Sequence, residues 1–491
     1  MDAEPRFAGY IDGTWVAGSG ANVAVEDPSY GSVVATFSGL STAQFETAIG
    51  AARKAHDDGR WSGLSAADRR ARLKRFVAAM AKRADPLVDL VMREAGCPRA
   101  ASVMQSQVRG PIKQAGEIIE LSATLPELEE NPLPLSERLN AQGQVMQSLR
   151  RYTPVGVVAG IAAYNFPVYT ALWKVMPALL AGNTVLLRPS PLTPLSALVL
   201  AEAAHEAELP AGVLNVVIEA GLDGARLLTT DPAVDMVAFT GSSHVGVQVM
   251  TQAAPTMKRL QLELGGKSAQ IFLPDAVDRA AMGAMIVCMA HAGQGCALGT
   301  RIFVPQERKD EVLKSMAGAM GRIQVGPADQ PSSQMGPVIS AAQVERCEHY
   351  VRAAVDNGGR VVTGGKRPPH LEKGHFFEPT VLDLPDNRNP AAQDEIFGPV
   401  VSVIGYRDVD HAVEMANDSR FGLSGYVHGQ DRKAALDVAL RIRSGTVNVN
   451  GALASTYNSA GGQRMSGVGR ERGVDGLRLY QQLVCLNIGS Q

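Results

Sequence analysis

With 491 residues, 45% hydrophobic and 20% charged, the chain has length for about two to four domains with large cores and the make-up of an ordinary globular protein. Its formal net charge of −2 provides no basic field, so neither nucleic acid nor an anionic membrane is an expected partner. Five cysteines, at 97, 288, 296, 347 and 485, form no CxxC pair and no ligand cluster, which argues against a disulfide framework and against a metal site.

In chain order, Met1-Asp2-Ala3-Glu4-Pro5-Arg6 is polar with no apolar run behind it, so no secretory leader is expected. No stretch is long and apolar enough to span a membrane, and a reducing cytoplasm is the expected compartment. Residues 8 to 38 carry short strand-like pieces around turns. Ser65-Ala66-Ala67-Asp68 is a capping-box pattern before a helix with Leu73, Phe76, Val77 and Met80 on its apolar face. Arg69, Arg70, Arg72, Lys74 and Arg75 read as the solvated side of that helix. Residues 124–140, rich in proline and acid, read as a connector, and Val145–Leu149 as a strand.

From 155 to 272 strand and helix patterns alternate. Apolar runs at 155–161, 184–187, 213–218 and 234–240 are separated by helices that begin at Pro167, Thr193-Pro194 and Asp223. This predicts βαβ units in a parallel sheet, with ligands beyond the carboxyl ends of its strands. A very apolar helix over 276–292 ends at Gly293-Gln294-Gly295-Cys296-Ala297. A second alternating region runs from about 335 to 450, and the chain closes on a helix end and a strand.

Several short stretches carry candidate chemistry. Cys296 stands between two small residues, so its sulfur is uncrowded; a buried small hydrophobe is the plainer reading of any one cysteine. Glu263, in Leu262-Glu263-Leu264-Gly265-Gly266-Lys267, is a carboxylate at the end of an apolar strand. Phe239-Thr240-Gly241-Ser242, with Gly246 beyond, follows a strand and opens a helix, a place that favours phosphate. A plain strand-to-helix turn fits those residues as well. Asn165, in Tyr164-Asn165-Phe166-Pro167, has an amide able to donate to an oxyanion or to satisfy its own loop. Arg188-Pro189-Ser190-Pro191 lies at the same sheet edge, and Glu395-Ile396-Phe397-Gly398-Pro399 joins a carboxylate and an aromatic at a turn.

In this order and at these separations the motifs resemble the NAD(P)-dependent aldehyde dehydrogenase superfamily, over essentially the whole chain. Gly422-Leu423-Ser424-Gly425, Gly445–Asn450 and Ser466-Gly467-x-Gly469-Arg470-Glu471 extend the match. The resemblance implies oxidation of an aldehyde to the acid. Cys296 would be the nucleophile and Asn165 an oxyanion donor. Glu263 would be the base that releases the acyl group to water, with Lys174 near the site. Glu395 and Phe397 would hold the nicotinamide side of the cofactor; Ser242, Gly241 and Gly246 would approach the pyrophosphate. Arg188 and Ser190 would lie at the adenosine ribose. The cofactor would be NAD or NADP, with NAD favoured. Pro191 stands where the family commonly has a glutamate that repels a 2′-phosphate, so dual use is expected.

Gly295, Ala297 and the Ser459-Ala460-Gly461-Gly462 stretch, which lacks a common tunnel aromatic, imply room for a bulky apolar or aromatic aldehyde. The expected fold is α/β. A doubly wound parallel-sheet cofactor domain would take 1–129 and 152–262, an α/β catalytic domain 263–473, and a small β oligomerisation arm 130–151 and 474–491. The arm implies a homodimer or homotetramer. Two other readings stay open. A CoA-acylating semialdehyde dehydrogenase commonly lacks the glutamate base. A catalytically inactive dinucleotide-binding scaffold would have lost Cys296, Asn165 or Glu263.

Overall fold

Five apolar runs become the parallel strands Val157–Ile161, Thr184–Arg188, Leu214–Val217, Met236–Thr240 and Arg259–Glu263 in the computed structural model of the protein. The model describes residues 7–452 and 455–490; the polar start Met1–Arg6 and the last residue expected in the arm, Gln491, lie outside the described residues. Numbered along the chain, these strands stand in the order 3-2-1-4-5 across the sheet. The first four are buried almost throughout, as strands covered by helices on both faces must be, and the fifth is only partly buried. Antiparallel strands cap the two edges: Gly9–Ile11 with Thr14–Val16 on one side, Gly467–Val468 on the other. The direction of winding reverses between Val157–Ile161 and Met236–Thr240, which opens a crevice at their carboxyl ends.

Helix Pro167–Leu180 covers one face. Proline starts it, where no N–H is needed, and nearly every residue in it is buried, in keeping with a sequence apolar on all sides. Arg69 departs from its expected solvated position. It is buried, and its Nε donates to Leu180 O at 3.2 Å. A guanidinium there satisfies one of the carbonyls that the end of helix Pro167–Leu180 leaves open. Ser65 caps its own helix, Ala66–Lys82, as its pattern predicts, accepting from Asp68 N–H.

A second sheet is built from Arg360–Thr363, Thr380–Leu384, Val400–Tyr406, Arg301–Pro305, Ala269–Phe272, Ser424–His428 and Thr446–Val449, in that order. All its pairs are parallel except the first. Each large sheet has its own hydrophobic core. The chain passes from one core to the other between Leu264 and Ala269, across Gly265-Gly266-Lys267-Ser268. A third, antiparallel sheet joins Leu128–Glu130, Met146–Pro154 and Gln481–Gly489. The 124–140 connector thus supplies a short strand, whose Glu129 is held by Arg150 and Arg478. Among the described residues no helix is long and apolar enough to cross a membrane.

Candidate functional site

The helix Ala280–Met289 runs into a turn in which His291, Ala292 and Gly293 take φ of 54°, 51° and 72°. Left-handed backbone at two residues with a Cβ is uncommon, and such strain persists only where surrounding contacts fix it. A Cβ on Gly293 would lie 2.0 Å from Gly398 O, so glycine is required there. The turn is tied from three sides. Gln294 donates from Nε2 to His291 O at 3.1 Å and accepts Ile339 N–H at 2.9 Å. Asn165 Nδ2 donates to Gln294 O at 2.8 Å, and the Tyr426 hydroxyl donates to Ala297 O at 2.9 Å. The residue so presented is Cys296, half-buried.

The glycine pair between the two sheets is the meeting point of the site. A Cβ on Gly265 would fall 2.3 Å from the Glu395 carboxylate, and one on Gly266 would fall 2.5 Å from Cys296 O. Gly266 N–H donates to Glu395 Oε1 at 2.9 Å. Glu263 precedes the pair at the end of its strand, in register with Thr240. Its Oε1 is enclosed with no hydrogen-bond partner, and a Cβ on Gly461 would stand 3.0 Å from it.

Burial, then the charge of Glu471, pushes the Glu263 carboxyl up to about 8, while Lys174, Arg470 and Arg472 pull it down. The Cys296 thiol is pushed up to about 12 by burial, then by Glu395, Glu263 and Glu471. Lys174 does not border the cleft. Its ammonium is buried and pairs with Glu471 Oε1 at 3.0 Å. Breaking such a desolvated pair from one side is costly because it leaves the other charge uncompensated. Lys267 is buried as well, with no partner for Nζ, and burial, followed by the Arg301 charge, lowers it to about 7.

A cleft of about 900 Å³ runs from Cys296, Glu263 and Asn165 across the sheet's carboxyl edge to Leu222 and Arg226. Gly241, Ser242, Arg188, Ser190, Glu395 and Phe397 also border it. The N-terminus of helix Ser243–Ala253 opens onto it, and Ser242 Oγ accepts Val245 N–H at 3.3 Å. The hydroxyl proton of Ser242 is left to donate. Gly246 is not on the cleft. A Cβ there would stand 2.6 Å from the Leu264 side chain, so this glycine lets the helix pack on Leu264. Arg188 is less free than its motif implies: Nε donates to Glu219 Oε1 at 3.2 Å and Nη2 to Gly221 O at 2.8 Å. Phe397 has φ of 62°. Its carbonyl accepts from Gln343 Nε2 at 2.8 Å, and its ring meets Tyr164 edge-on at 6.0 Å.

These residues fit a dinucleotide. Thr240 Oγ1 is a buried, unpartnered polar atom on the cleft wall. Helix amides and the Ser242 hydroxyl supply phosphate donors, and Glu395 supplies an acceptor for sugar hydroxyls. The sequence alone points to no role for Glu471, Tyr426, Gln294, Lys267 or Arg472, although Glu471, Gln294 and Lys267 stand within its motifs. Only the folded contacts single those out.

The family model described as the aldehyde dehydrogenase family matches residues 15–485. Geranial dehydrogenase of Castellaniella defragrans is 36% identical over 476 residues, covering 96% of this chain and 97% of that protein. Glutarate-semialdehyde dehydrogenase of Pseudomonas putida is 33% identical over 489 residues, covering 98% of each. The crystal structure of a cysteine-to-alanine mutant of aldehyde dehydrogenase C from Pseudomonas syringae, complexed with NAD+ and octanal, superposes with a TM-score of 0.91. It has 34% identity over 99% of this chain and 98% of that one.

Proposed function

The chain belongs to the aldehyde dehydrogenase family and is an NAD(P)-dependent enzyme, and from that premise we propose how its own residues carry the oxidation. Cys296 Sγ attacks the aldehyde carbon and forms a thiohemiacetal. Asn165 gives one amide N–H to Gln294 O and keeps the other for the developing oxyanion. The bound cofactor supplies the hydride acceptor, and its ring is cationic, a charge that favours the thiolate. Loss of hydride leaves a thioester on Cys296. Glu263 takes a proton from water, the hydroxide displaces the thiolate, and the acid leaves. The observation that carries this reading is the enclosed, unpartnered Glu263 carboxylate on the same cleft as Cys296. A base raised to about 8 is matched to work near neutral pH.

Glu263 also bears on the acyl acceptor, since water is far less acidic than a thiol and depends on a base much more than CoA does. The reading is tested by NAD(P)H formation with a panel of aldehydes, with and without CoA. Acid formation without CoA supports it, and strict CoA dependence overturns it. Asn165→Ala is expected to lower kcat by roughly 10²–10³, the usual loss for one oxyanion donor. A loss under about threefold would assign that role to backbone N–H groups instead.

Cofactor choice rests on Pro191, which has no side-chain acceptor for ribose hydroxyls and no charge to repel a 2′-phosphate. With Arg188 partly committed to Glu219, the expected result is dual use. NADP should be disfavoured by less than about a hundredfold in kcat/KM, roughly 2.8 kcal/mol, and Pro191→Glu should widen the gap. A wild type that already rejects NADP more strongly, unchanged in Pro191→Glu, would show that another group reads the ribose.

The substrate we propose is a bulky aldehyde, apolar or aromatic near the thiol, because Gly295 and Ala297 leave the sulfur uncrowded and Ala460 replaces a larger wall residue. The relatives do not choose for it: their names point to geranial and to glutarate semialdehyde. Among the described residues strand Gln481–Gly489 pairs on one edge only, and it exposes Leu483, Val484, Leu486 and Ile488. Such an edge is a template for another chain, so we propose a homodimer or homotetramer, with domains as the motifs imply. A single chain in light scattering would refute the oligomer. Five cysteines without a disulfide accord with a reducing cytoplasm.

A further inference from the structure

Arg472 stands out among the charged groups around Cys296. It precedes the final helix, Gly473–Leu479, with φ of 60° and ψ of 172°, a positive-φ extended setting that is essentially glycine's and that a long side chain adopts only under constraint. Its neighbours are committed. Arg470 Nη1 donates to Gly462 O and Gly469 O, and Glu471 pairs with Lys174. Among the described residues the half-buried Arg472 guanidinium has neither a hydrogen-bond nor an ion-pair partner, and its Nε is enclosed. An enclosed donor left unpaired in a folded protein asks for an explanation.

Its charge acts on Glu263, Tyr169 and Tyr426, three groups on separate elements around Cys296. Cys296 and Glu263 border the cofactor cleft, whereas Tyr169, Tyr426 and Arg472 do not. Backbone bonds fix its place: Glu471 and Ala460 exchange N–H···O bonds at 2.7 Å and Gly473 N–H donates to Thr456 O at 2.8 Å, so Arg472 stands beside the 456–460 stretch that lacks the tunnel aromatic, away from the cofactor cleft. Of the cations that act on Glu263, Lys174 pairs with Glu471 and Arg470 is tied to two carbonyls, which leaves Arg472 without a partner among the described residues. Because Nε is enclosed, the open part of the guanidinium is its Nη1/Nη2 end. That end is a planar two-donor edge matching a carboxylate.

We propose that Arg472 anchors a carboxylate at the far end of the substrate, so that the aldehyde oxidised on Cys296 is an oxo acid with a bulky body. This rests on the function proposed above and narrows its substrate class. Other family chemistry would leave the cation serving the thiolate or the oxyanion, and the test separates the two.

The test compares kcat/KM within matched pairs, hexanal with 6-oxohexanoate and benzaldehyde with 4-formylbenzoate. The enzymes are wild type, Arg472→Asn, which removes the charge and the guanidinium, and Arg472→Lys. The readout is the acid-to-neutral ratio within each pair, so a general loss of activity cancels. The wild type is expected to prefer the acid of at least one pair by about tenfold or more, the usual worth of a charge-assisted hydrogen bond. That preference should vanish in Arg472→Asn and survive in part in Arg472→Lys. The proposal is overturned if wild type shows no acid preference, if the preference survives in Arg472→Asn, or if Arg472→Asn lowers both members of a pair equally. Should Arg472→Asn not fold, the wild-type ratio and its reduction in Arg472→Lys decide. Absence of NAD(P)H with every aldehyde, neutral and acidic, overturns the proposed function itself and is distinct from those results.

Discussion

Cys296→Ala is expected to abolish aldehyde oxidation, by about 10⁴-fold or more, while NAD and NADP still bind. No second thiol is placed to take over. Cys97, Cys288 and Cys347 are buried. Cys288 Sγ lies 3.5 Å from Pro399 O and does not border the cleft that Cys296 borders. Cys347 comes nearest to the cofactor turn, but its sulfur packs where a Cβ on Gly398 would fall at 2.3 Å. Cys485 is exposed on the small antiparallel sheet. Cofactor binding should persist because its proposed contacts, Ser242, Glu395 and Phe397, leave the sulfur out. Dissociation constants for NADH, read by fluorescence, should change by less than about threefold, within roughly 0.7 kcal/mol. Turnover above about 1% of wild type, far over the expected residue, would move the nucleophile elsewhere.

Glu263→Gln should separate the two halves of the reaction. The amide cannot accept a proton from water, so acylation proceeds and deacylation stalls. A burst of about one NAD(P)H per site is expected, followed by steady turnover slowed by roughly 10²–10⁴. The pH dependence has a definite sign. Burial and the charge of Glu471 hold the carboxyl far above its ordinary range, so its base form grows as pH rises through neutrality. Deacylation in wild type should therefore climb with pH across that range. That rise should be missing in Glu263→Gln. A normal steady state in the variant, or an unchanged rise, would place the base on another group.

Much of the scaffold was legible because its signals are local. Pro167 opens a helix, Ser65 caps one, and apolar runs of strand length between helical patterns form a parallel sheet. The glycines and small residue around Cys296 likewise marked a turn that displays a side chain. What stayed hidden depends on partners distant in the chain. Arg69 looks like one more surface arginine until the open carbonyl of Leu180 is seen beside it. Gly246 looks like part of a phosphate loop, but its constraint is the Leu264 side chain. Arg188 looks like a free cation, yet Glu219 is its partner, 31 residues away. The Lys174–Glu471 pair spans 297 residues, and no periodicity could join them. Arg472 was silent for the opposite reason: its significance is the lack of a partner, which only a folded surrounding reveals.

On the proposed route the acyl group passes through Cys296 and waits there for Glu263. The most direct test of that route is mass spectrometry of Glu263→Gln quenched after mixing with NAD and an aldehyde, with peptide mapping of the adduct. One acyl group per chain is expected, on the peptide holding Cys296, absent without NAD and absent in the Cys296→Ala/Glu263→Gln double variant. An unmodified Cys296 in a variant that still reduces NAD, or an acyl group on Cys347 or any other residue, would contradict it.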